Sequence, residues 1–371
     1  MSDFGFVKGK LGFGCMRLPM REGEVDIAAT CDMVDVYIGA GFNYFDTASG
    51  YLDGKSELAI RECVAKRYAR EDFVLTNKLS SSFFKTEEDI RPYFERQLAA
   101  CGVDYFDIYL MHSQDAVLYE KYKAARAYET ALELVREGRV RHFGISFHDK
   151  AAVLDQILCD YPEIEIVQIQ FNYLDYEDAS VESRKCYEVC RKHSKHVLIM
   201  EPVKGGVLAN LPDSAAQVLR ELDGGSAASY AVRFAAGFDG VVSVLSGMST
   251  PEQMADNISY MRDFSPLDER ELSAIDKVRE IIRSMSLISC TACRYCTPTC
   301  PMNIPIPDLF ACMNGKELWQ GWNAAYYYEI HTQRGGLASE CIRCGRCEKI
   351  CPQHLPIRDL LARVADTFEK K

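Results

Sequence analysis

Short apolar runs alternate with helical patterns along most of the chain. Eight runs have the length and apolar character of buried strands: 11–14, 43–48, 73–79, 106–112, 142–147, 166–172, 197–203 and 241–247. Helical segments lie between them, one from Asp26 to Gly39 and another that begins at Thr86, where two glutamates fill the first turn. Strands that alternate with helices indicate a parallel α/β sheet.

The number of these units favours a closed (β/α)8 barrel. Eight strands and eight crossovers take about 250 residues in a TIM barrel. A doubly wound sheet is the alternative architecture, but it requires a glycine fingerprint after its first strand, and GFGCMR at 12–17 does not provide one. We therefore predict a TIM barrel, whose functional residues lie at the C-terminal ends of the strands.

The composition changes after the eighth run. We expect a helix that is capped by Ser265, has Pro266 at its first position and continues to about Arg283. Beyond this helix cysteines become frequent, with nine in the last 82 residues. We predict a barrel domain over residues 1–285 and a small α-helical domain over residues 286–371.

Single polar residues mark the ends of three apolar runs. Asp46, Lys78 and His112 occupy these positions, and Tyr51 follows Asp46 by five residues. Tyrosine has a pKa of about 10, too high for an acid that works near neutrality. We expect the Lys78 cation to lower the pKa of Tyr51, and Asp46 to keep Lys78 charged and in place. The sequence thus predicts a proton-transfer site.

Two runs of four cysteines repeat the pattern C-x2-C-x2-C-x3-C-P. The first contains Cys290, Cys293, Cys296 and Cys300, and the second contains Cys341, Cys344, Cys347 and Cys351. This pattern is the bacterial ferredoxin signature for a [4Fe–4S] cluster. Zinc would prefer two separated pairs of cysteines, so two iron–sulfur clusters are the better interpretation. The runs belong to an internal repeat with an offset of 51 residues.

The fourth cysteine of each run is expected to cross to the other cluster, as in two-cluster ferredoxins. Cluster one would then be bound by the first three cysteines of the first run and by Cys351. Cluster two would be bound by the first three cysteines of the second run and by Cys300.

Composition narrows the class of protein. The net charge of −11 argues against nucleic acid or an anionic membrane as partner. No apolar run reaches the roughly 18 residues of a membrane span, and the N-terminus has no signal-peptide h-region. Sixteen cysteines in a long chain without a signal favour metal ligation over disulfides. We expect a cytoplasmic protein.

The four polar residues and the motif DTASGYLDGKSE at 46–57 resemble the aldo/keto reductase family over roughly residues 8–285. The resemblance implies a (β/α)8 barrel and hydride transfer from NADP or NAD to a carbonyl. It makes Tyr51 the general acid and assigns to His112 the orientation of the carbonyl. Lys78 and Asp46 would support the tyrosine.

The same resemblance implies a set of cofactor contacts. Ser146 and Gln168 would hold the nicotinamide carboxamide, with Asn172 at the end of the sixth strand. Many family members have Asn at the position of Phe147, so one amide contact is changed. The remaining predicted contacts lie after strands seven and eight: Glu201, Gly205 and Gly206 near the pyrophosphate, and Gly247, Ser249, Gln253 and Asn257 near the adenosine. Many NADP-dependent members carry Lys near Gly247 and Arg at Gln253, so NAD is a live alternative to NADP.

The sequence thus favours an oxidoreductase that acts on a small-molecule carbonyl or alcohol and carries a fused dicluster ferredoxin domain, with a redox protein as a further partner. One alternative is an electron-transfer protein in which the barrel is a docking or sensing module. Another is a purely structural role for the clusters. A nicotinamide gives two electrons as hydride whereas a cluster takes one, so direct exchange needs a radical intermediate, a flavin or a partner.

Overall fold

Eight parallel strands form a closed barrel in the computed structural model, which describes residues 4–178, 181–222, 224–285, 287–319, 323–333 and 335–369. The strands follow one another around the barrel in chain order, and the eighth pairs with the first. They are β1 Leu11–Gly14, β2 Tyr44–Asp46, β3 Val74–Leu79, β4 Phe106–Gln114, β5 Val140–Phe147, β6 Ile166–Gln170, β7 His196–Met200 and β8 Val241–Ser246. The prediction of a TIM barrel is confirmed.

Strands β6 and β7 end two or three residues before the predicted positions. After β6, the Oδ1 atom of Asn172 accepts hydrogen bonds from the backbone N–H groups of Leu174 and Asp175, which turns the chain. After β7, Glu201 has φ +57°, a left-handed conformation that cannot continue a strand. Local turn chemistry therefore decides these two boundaries.

The helices surround the strands and form the C-terminal region. They are α1 Ile27–Gly39, α2 Lys55–Ile60, α3 Ile90–Cys101, α4 Ala116–Ala124, α5 Ala127–Arg136, α6 Ala151–Asp160, α7 Ser183–Lys192, α8 Asp213–Arg220, α9 Ala227–Ala236, α10 Pro251–Met261, α11 Glu269–Ser284, α12 Ile306–Trp319, α13 Asn323–Thr332, α14 Arg346–Lys349 and α15 Ile357–Phe368. A short antiparallel ribbon, Met20–Arg21 with Glu24–Val25, follows β1. None of the described helices combines the length and apolar character that a membrane crossing requires.

The cap predicted for helix α11 is wrong. Its N-cap is Asp268, which accepts from the N–H of Glu271, while the Glu271 carboxylate accepts from the N–H of Asp268. This reciprocal capping box satisfies two backbone donors, which a lone Ser265 cap cannot do. Ser265 lies outside the helix, and its carbonyl accepts from Arg233. The predicted C-terminal end near Arg283 is close to the observed one.

The chain forms two compact units. The first comprises Met1–Pro202 and Ser229–Leu267, and the second comprises Val203–Ala228 and Asp268–Lys371. The first unit holds all eight strands, and buried side chains such as Tyr44, Ile108 and Ile166 fill a core among them. The second unit thus joins the segment after β7 to helix α11 and to the cysteine-rich C-terminal region.

The C-terminal region follows the internal repeat. Helices α12 and α15 begin at Ile306 and Ile357, which occupy equivalent positions of the two halves. Both residues belong to one apolar core with Leu309, Phe310 and Leu361. The two halves therefore share a single core beside the cysteines.

Candidate active site and cluster-binding sites

A buried ion pair lies at the C-terminal ends of β2 and β3. The ammonium of Lys78 donates to Asp46 Oδ1 at 2.5 Å and to the carbonyl of Thr47 at 3.0 Å. The two side chains are 0% and 4% exposed. Because little water screens the pair, its attraction is much stronger than that of a surface salt bridge. The predicted contact between Asp46 and Lys78 is present.

Tyr51 lies against this pair. The Lys78 Nζ atom is 4.7 Å from the centre of the Tyr51 ring, and Asp46 is close enough to affect the phenol electrostatically. Burial raises the pKa of Tyr51 well above its ordinary value, and the negative charge of Asp46 raises it further. The expectation that Lys78 lowers this pKa is wrong for the structure, and Tyr51 is a protonated phenol that can donate its proton.

His112, near the end of β4, completes the group of four. Its ring centre lies 6.1 Å from that of Tyr51, in an edge-to-face arrangement, and its Nδ1 atom lies 2.6 Å from Ser80 Oγ. Burial, followed by the charges of Lys78 and His148, lowers the pKa of His112 well below its usual value. The imidazole is therefore neutral near pH 7. No pattern in the sequence indicated Ser80, which holds the His112 ring in place.

Two of the predicted nicotinamide contacts lie side by side on neighbouring strands of the barrel. Ser146 of β5 pairs in register with Gln168 of β6. The Gln168 amide donates to Asp46 Oδ2 at 3.1 Å, and the Ser146 hydroxyl accepts from the Ser113 N–H at 2.7 Å. The Ser146 hydroxyl proton and the Gln168 amide oxygen remain suited to a carboxamide ligand.

Asn172 has a different place from the one expected. Its amide donates to Asp175 Oδ2 at 2.7 Å and to the Glu201 carbonyl at 3.0 Å. Since its oxygen already accepts two backbone N–H groups, the side chain is fully committed to the protein. Asn172 therefore holds the left-handed Glu201 in position, and a direct cofactor contact stays only a prediction.

The residues predicted near the adenosine lie together after β8. Ser249 donates its N–H to Gln253 Oε1 at 2.7 Å, and Asn257 donates to the Gln253 carbonyl at 2.8 Å. Within the part of the chain that the structure describes, the buried Asn257 Oδ1 has no hydrogen-bond partner. An acceptor in this state suits a ligand donor such as an exocyclic amine.

Arg17 is a cation that sequence reasoning missed. Its backbone carbonyl accepts from Ser249 Oγ at 2.7 Å, and its Cδ atom lies 3.3 Å from where a Cβ on Gly247 would stand. A side chain at position 247 would therefore press against Arg17. The only signal for this contact is a basic residue just after the first strand, 230 residues away in the chain.

The glycines predicted near the pyrophosphate lie in the second unit. Lys204, Gly205 and Gly206 form a single helical turn with φ values of +47°, +63° and +99°. A Cβ on Gly205 would lie 2.6 Å from the carbonyl oxygen and 2.7 Å from the Cα atom of Thr291. Only glycine fits this contact, which brings the turn against the first cysteine run.

Four thiols surround one cavity of the iron–sulfur region. Cys290, Cys293, Cys296 and Cys351 line a space of about 330 Å³, together with apolar side chains such as Phe310. Soft thiolates in an apolar enclosure suit an iron–sulfur cluster. The structure thus brings three cysteines of the first run together with the last cysteine of the second.

A second cavity has the reciprocal composition. Cys300, Cys341, Cys344 and Cys347 line a space of about 310 Å³. Three thiols of the second run and the last thiol of the first thus lie around one space, and crossed ligation stays a prediction. Burial raises the pKa of Cys347 to about 11 and that of Cys296 to about 12. Cluster assembly must therefore release protons from these thiols.

Arginine–carboxylate pairs brace both cysteine runs. Arg294 donates to both oxygens of Asp308 at 2.8 and 2.6 Å, and Arg343 donates to Asp359 at 2.7 Å. The two aspartates occupy equivalent positions of the internal repeat, in the first turns of α12 and α15. Each run is thus tied to the helix that follows it.

Two family models match the chain. The model of the aldo/keto reductase family matches residues 10–280, and that of the 4Fe-4S dicluster domain matches residues 289–356. The first match covers most of the chain, and the second contains all eight cysteines of the two runs. Both matches agree with the resemblances noted in the sequence.

Known relatives are similar over the barrel region. The NADH-specific methylglyoxal reductase of Escherichia coli is 26% identical over 219 residues, which are 54% of this chain and 65% of that protein. The chain therefore spans just under two thirds of that relative's length. An aldo-keto reductase of Mycolicibacterium paratuberculosis is 26% identical over 280 residues, 74% of this chain and 87% of the relative.

Solved structures show the same fold. The holo form of an aldo-keto reductase from Bacillus halodurans has a TM-score of 0.59 at 24% identity, covering 72% of this chain and 91% of that one. An aldo/keto reductase from Klebsiella pneumoniae in complex with NADP and acetate has a TM-score of 0.58 at 21% identity, covering 73% and 91%. These similarities extend over the barrel.

Proposed function

The chain belongs to the aldo/keto reductase family, and from this premise we propose that it is a nicotinamide-dependent oxidoreductase that reduces a carbonyl or oxidises the corresponding alcohol. One observation carries the proposal. The buried pair of Lys78 and Asp46 lies beside a protonated Tyr51 and a neutral His112. A carbonyl that gains a hydride needs a proton on its oxygen, and this group of residues can supply it.

Each of the four residues has a distinct part in the reaction. Tyr51 donates the proton to the carbonyl oxygen, and His112 orients that oxygen with its neutral ring, which Ser80 holds. Lys78 places a positive charge near the oxygen as negative charge develops there. Asp46 keeps Lys78 in position and is itself held by Gln168. The bound nicotinamide would supply or accept the hydride.

Several described residues fit a nicotinamide dinucleotide. Ser146 and Gln168 would fix the carboxamide, and the turn at Gly205 would bring backbone N–H groups to the pyrophosphate. The adenosine would reach the group around Gln253, where the buried Asn257 acceptor supports its placement. Arg17 supplies a cation near Gly247. We propose that the site accepts NAD at least as well as NADP, because Gly247 and Gln253 carry no charge and Arg17 alone leaves a 2′-phosphate one cation where many NADP-dependent family members have two.

The dicluster domain is proposed to hold two [4Fe–4S] clusters with crossed ligation. Cys290, Cys293, Cys296 and Cys351 would bind cluster one, while Cys341, Cys344, Cys347 and Cys300 would bind cluster two; the thiols that line each cavity support this arrangement. The proposed domain boundary stays at residues 285/286. Thr291 lies against Gly205 within the second unit, and we propose that cluster one thereby supports the turn that the resemblance assigns to the pyrophosphate.

The experiment compares the wild type with Tyr51→Phe after anaerobic purification. Oxidation of NADH and NADPH is followed with a panel of aldehydes and ketones that includes methylglyoxal. We expect Tyr51→Phe to reduce kcat by about 10²- to 10⁴-fold, since only the proton donor is lost. Nicotinamide affinity should change by less than about twofold.

Tyr187→Phe provides the matched control. It removes a hydroxyl that donates to the Asp239 carbonyl on the barrel surface, and it should leave turnover unchanged. Retention of wild-type turnover by Tyr51→Phe, with any carbonyl that the wild type reduces, would refute the assigned role of the tyrosine.

A further inference from the structure

The internal repeat allows the two cysteine loops to be compared position by position. We call residues 290–300 the first cysteine loop and residues 341–351 the second cysteine loop. Thr291 and Ile342 occupy equivalent positions after the first cysteine of each loop. Thr291 is 1% exposed and lies against Gly205, whereas Ile342 is 60% exposed. The two cysteine loops are therefore equivalent in sequence, but their equivalent side chains differ in burial.

The second cysteine loop presents apolar side chains to solvent. Besides Ile342, Ile350 is 45% exposed, and Cys344, a proposed ligand of cluster two, is itself exposed. Cys293, which corresponds to Cys344 in the repeat, is only partly exposed. One thiol of the second cavity, that of Cys344, thus lies at the surface, where a one-electron carrier can approach it.

Positive charge surrounds these apolar side chains. Arg343, Arg346 and Lys349 are all exposed, and the residues equivalent to them in the first cysteine loop carry no charge. Among the described residues, neither Arg346 nor Lys349 forms an ion pair, while Arg343 pairs with the exposed Asp359. Glu348, the acidic residue within the loop, is paired with Arg358. The loop is therefore locally basic in a chain whose net charge is −11.

From this asymmetry we propose that the second cysteine loop is the docking surface of an acidic one-electron carrier protein. Apolar contacts at the centre and charges at the rim are the usual anatomy of such an interface. An acidic carrier is repelled by the rest of the chain and attracted to the loop, which orients its approach. One electron leaves the reduced centre of the carrier and enters cluster two, so the carrier is oxidised and the cluster is reduced by one electron each. No bond or proton changes place.

The proposal rests on the clusters of the proposed function but not on carbonyl reduction. The test uses the full-length holoprotein under anaerobic conditions and a reduced plant-type [2Fe–2S] ferredoxin as the acidic probe. Stopped-flow absorbance follows reoxidation of the ferredoxin at low and high salt. The variants are Arg346→Glu with Lys349→Glu, the milder Arg346→Gln with Lys349→Gln, and Ile342→Ser.

We expect the double charge reversal to lower the second-order rate constant at least tenfold at low salt, within the range typical of electrostatic steering. The neutral pair and Ile342→Ser should each lower it about threefold or more. The wild-type rate should fall as salt rises, because screening removes the attraction. Lys277→Glu, which makes the same change at an exposed lysine of α11, should leave the rate within twofold of the wild type.

Iron and sulfide content, and reduction by the methyl viologen radical, show whether each variant keeps its clusters. Equal ferredoxin rates in variants with intact clusters would overturn the proposal while leaving the proposed function untouched. Sedimentation that shows a wild-type dimer, dissociated by Lys349→Glu with no change in the ferredoxin rate, would assign the surface to a second copy instead. A wild type without iron would contradict the proposed clusters themselves.

Discussion

At the residue scale, the ion pair of Lys78 and Asp46 determines the state of the active-site acid. Both side chains are buried, and the positive charge of Lys78 is directed at Asp46 and at the Thr47 carbonyl. Burial of Tyr51 beside this pair raises the pKa of the phenol, and the negative charge of Asp46 raises it further. The phenol is therefore in its acid form near neutrality, the form that can donate a proton to a carbonyl oxygen.

Breaking this pair should destabilise the barrel strongly. Lys78→Met leaves Asp46 buried beside Gln168 alone, and removing one partner of a buried pair costs about 3–5 kcal/mol. Urea unfolding of the barrel, followed by far-UV circular dichroism, measures the loss. The double variant Lys78→Met with Asp46→Asn should lose less than the sum of the single variants, because no unpaired charge remains. A loss below about 1 kcal/mol for Lys78→Met would show that Asp46 is solvated or protonated.

Carbonyl reduction should be insensitive to pH across neutrality. Because the pKa of Tyr51 is raised, the phenol keeps its proton as the pH rises above neutrality. Because the pKa of His112 is lowered, its ring stays neutral as the pH falls below neutrality. Between about pH 6 and pH 9, neither group changes its protonation, given ordinary values of about 10 and 6.5. The pH profile of kcat/KM for reduction measures this. An inflection near pH 7 that disappears in Tyr51→Phe would contradict the raised pKa.

The four site residues could be predicted from the sequence because Asp46, Lys78 and His112 stand at or near strand ends. Tyr51 follows Asp46 within the motif at 46–57. Ser80 and Arg17 could not, since serine after a strand and arginine in a loop are common and their contacts depend on packing. The direction of the Tyr51 pKa was also missed. The sequence shows which charges are present, but burial and the direction of each charge come only from the fold.

At the element scale, the strands were predicted to within three residues at each end, because short apolar runs that alternate with helical segments usually form buried strands. The cap of α11 was wrong because two candidate starts, Ser265 and Asp268, lie three residues apart, and only the second forms a reciprocal capping box with Glu271. At the turn that contains Gly205, by contrast, the structure strengthens a weak prediction. A pair of glycines is weak evidence alone, yet the contact with Thr291 gives one of them a steric reason.

The start of helix α10 should set the cofactor preference. Gln253→Arg adds a cation at position 253, which carries none, and a charge-assisted hydrogen bond to a 2′-phosphate adds about 1.5–3 kcal/mol. We expect NADP to bind at least tenfold more tightly, and NAD to change by less than twofold, in fluorescence titrations. Gln253→Met loses the same hydrogen bond from the Ser249 N–H without adding charge. It therefore separates the effect of losing this bond from the effect of the added cation. Equal gains for NAD and NADP would place the 2′-phosphate elsewhere.

The first cysteine loop should support nicotinamide binding, whereas the second should not. Thr291 contacts the turn at Gly205, and losing cluster one should free this loop and disorder the turn. Cys293→Ser should therefore weaken nicotinamide affinity about tenfold or more. Cys344→Ser, the equivalent change in the second loop, should alter it by less than twofold.

Equilibrium titration of both holoproteins with reduced nicotinamide compares the two affinities, and electron paramagnetic resonance reports which cluster each variant retains. Cys293 and Cys344 occupy equivalent positions of the repeat, so a general loss of stability in the domain should affect both variants equally. Equal affinities in the two variants would mean that the turn at Gly205 keeps its conformation without cluster one.

At the scale of the whole molecule, the chain combines an aldo/keto reductase barrel with a 4Fe-4S dicluster domain, which we propose to act as a two-electron site and a one-electron domain. The barrel carries residues for proton transfer to a carbonyl, while the dicluster domain carries thiols for iron and an exposed basic loop. The sequence predicted both parts because each depends on a local, ordered motif. Sequence symmetry could not show that the two cysteine loops have different surroundings, since Thr291 is covered by the segment after β7, which belongs to the second unit.

Deuterium transfer tests the central claim most directly, that the barrel moves a hydride to the carbonyl while Tyr51 supplies the proton. The holoprotein is incubated anaerobically in ordinary water with a carbonyl substrate and with nicotinamide deuterated at both C4 positions, and the alcohol is analysed by mass spectrometry. For the wild type, we predict one deuterium on the carbinol carbon of nearly every alcohol molecule. The alcohol that Tyr51→Phe forms more slowly should carry the same deuterium. Product formed at the wild-type rate without deuterium at that carbon would mean that the electrons travel separately from their hydrogen, and would contradict hydride transfer.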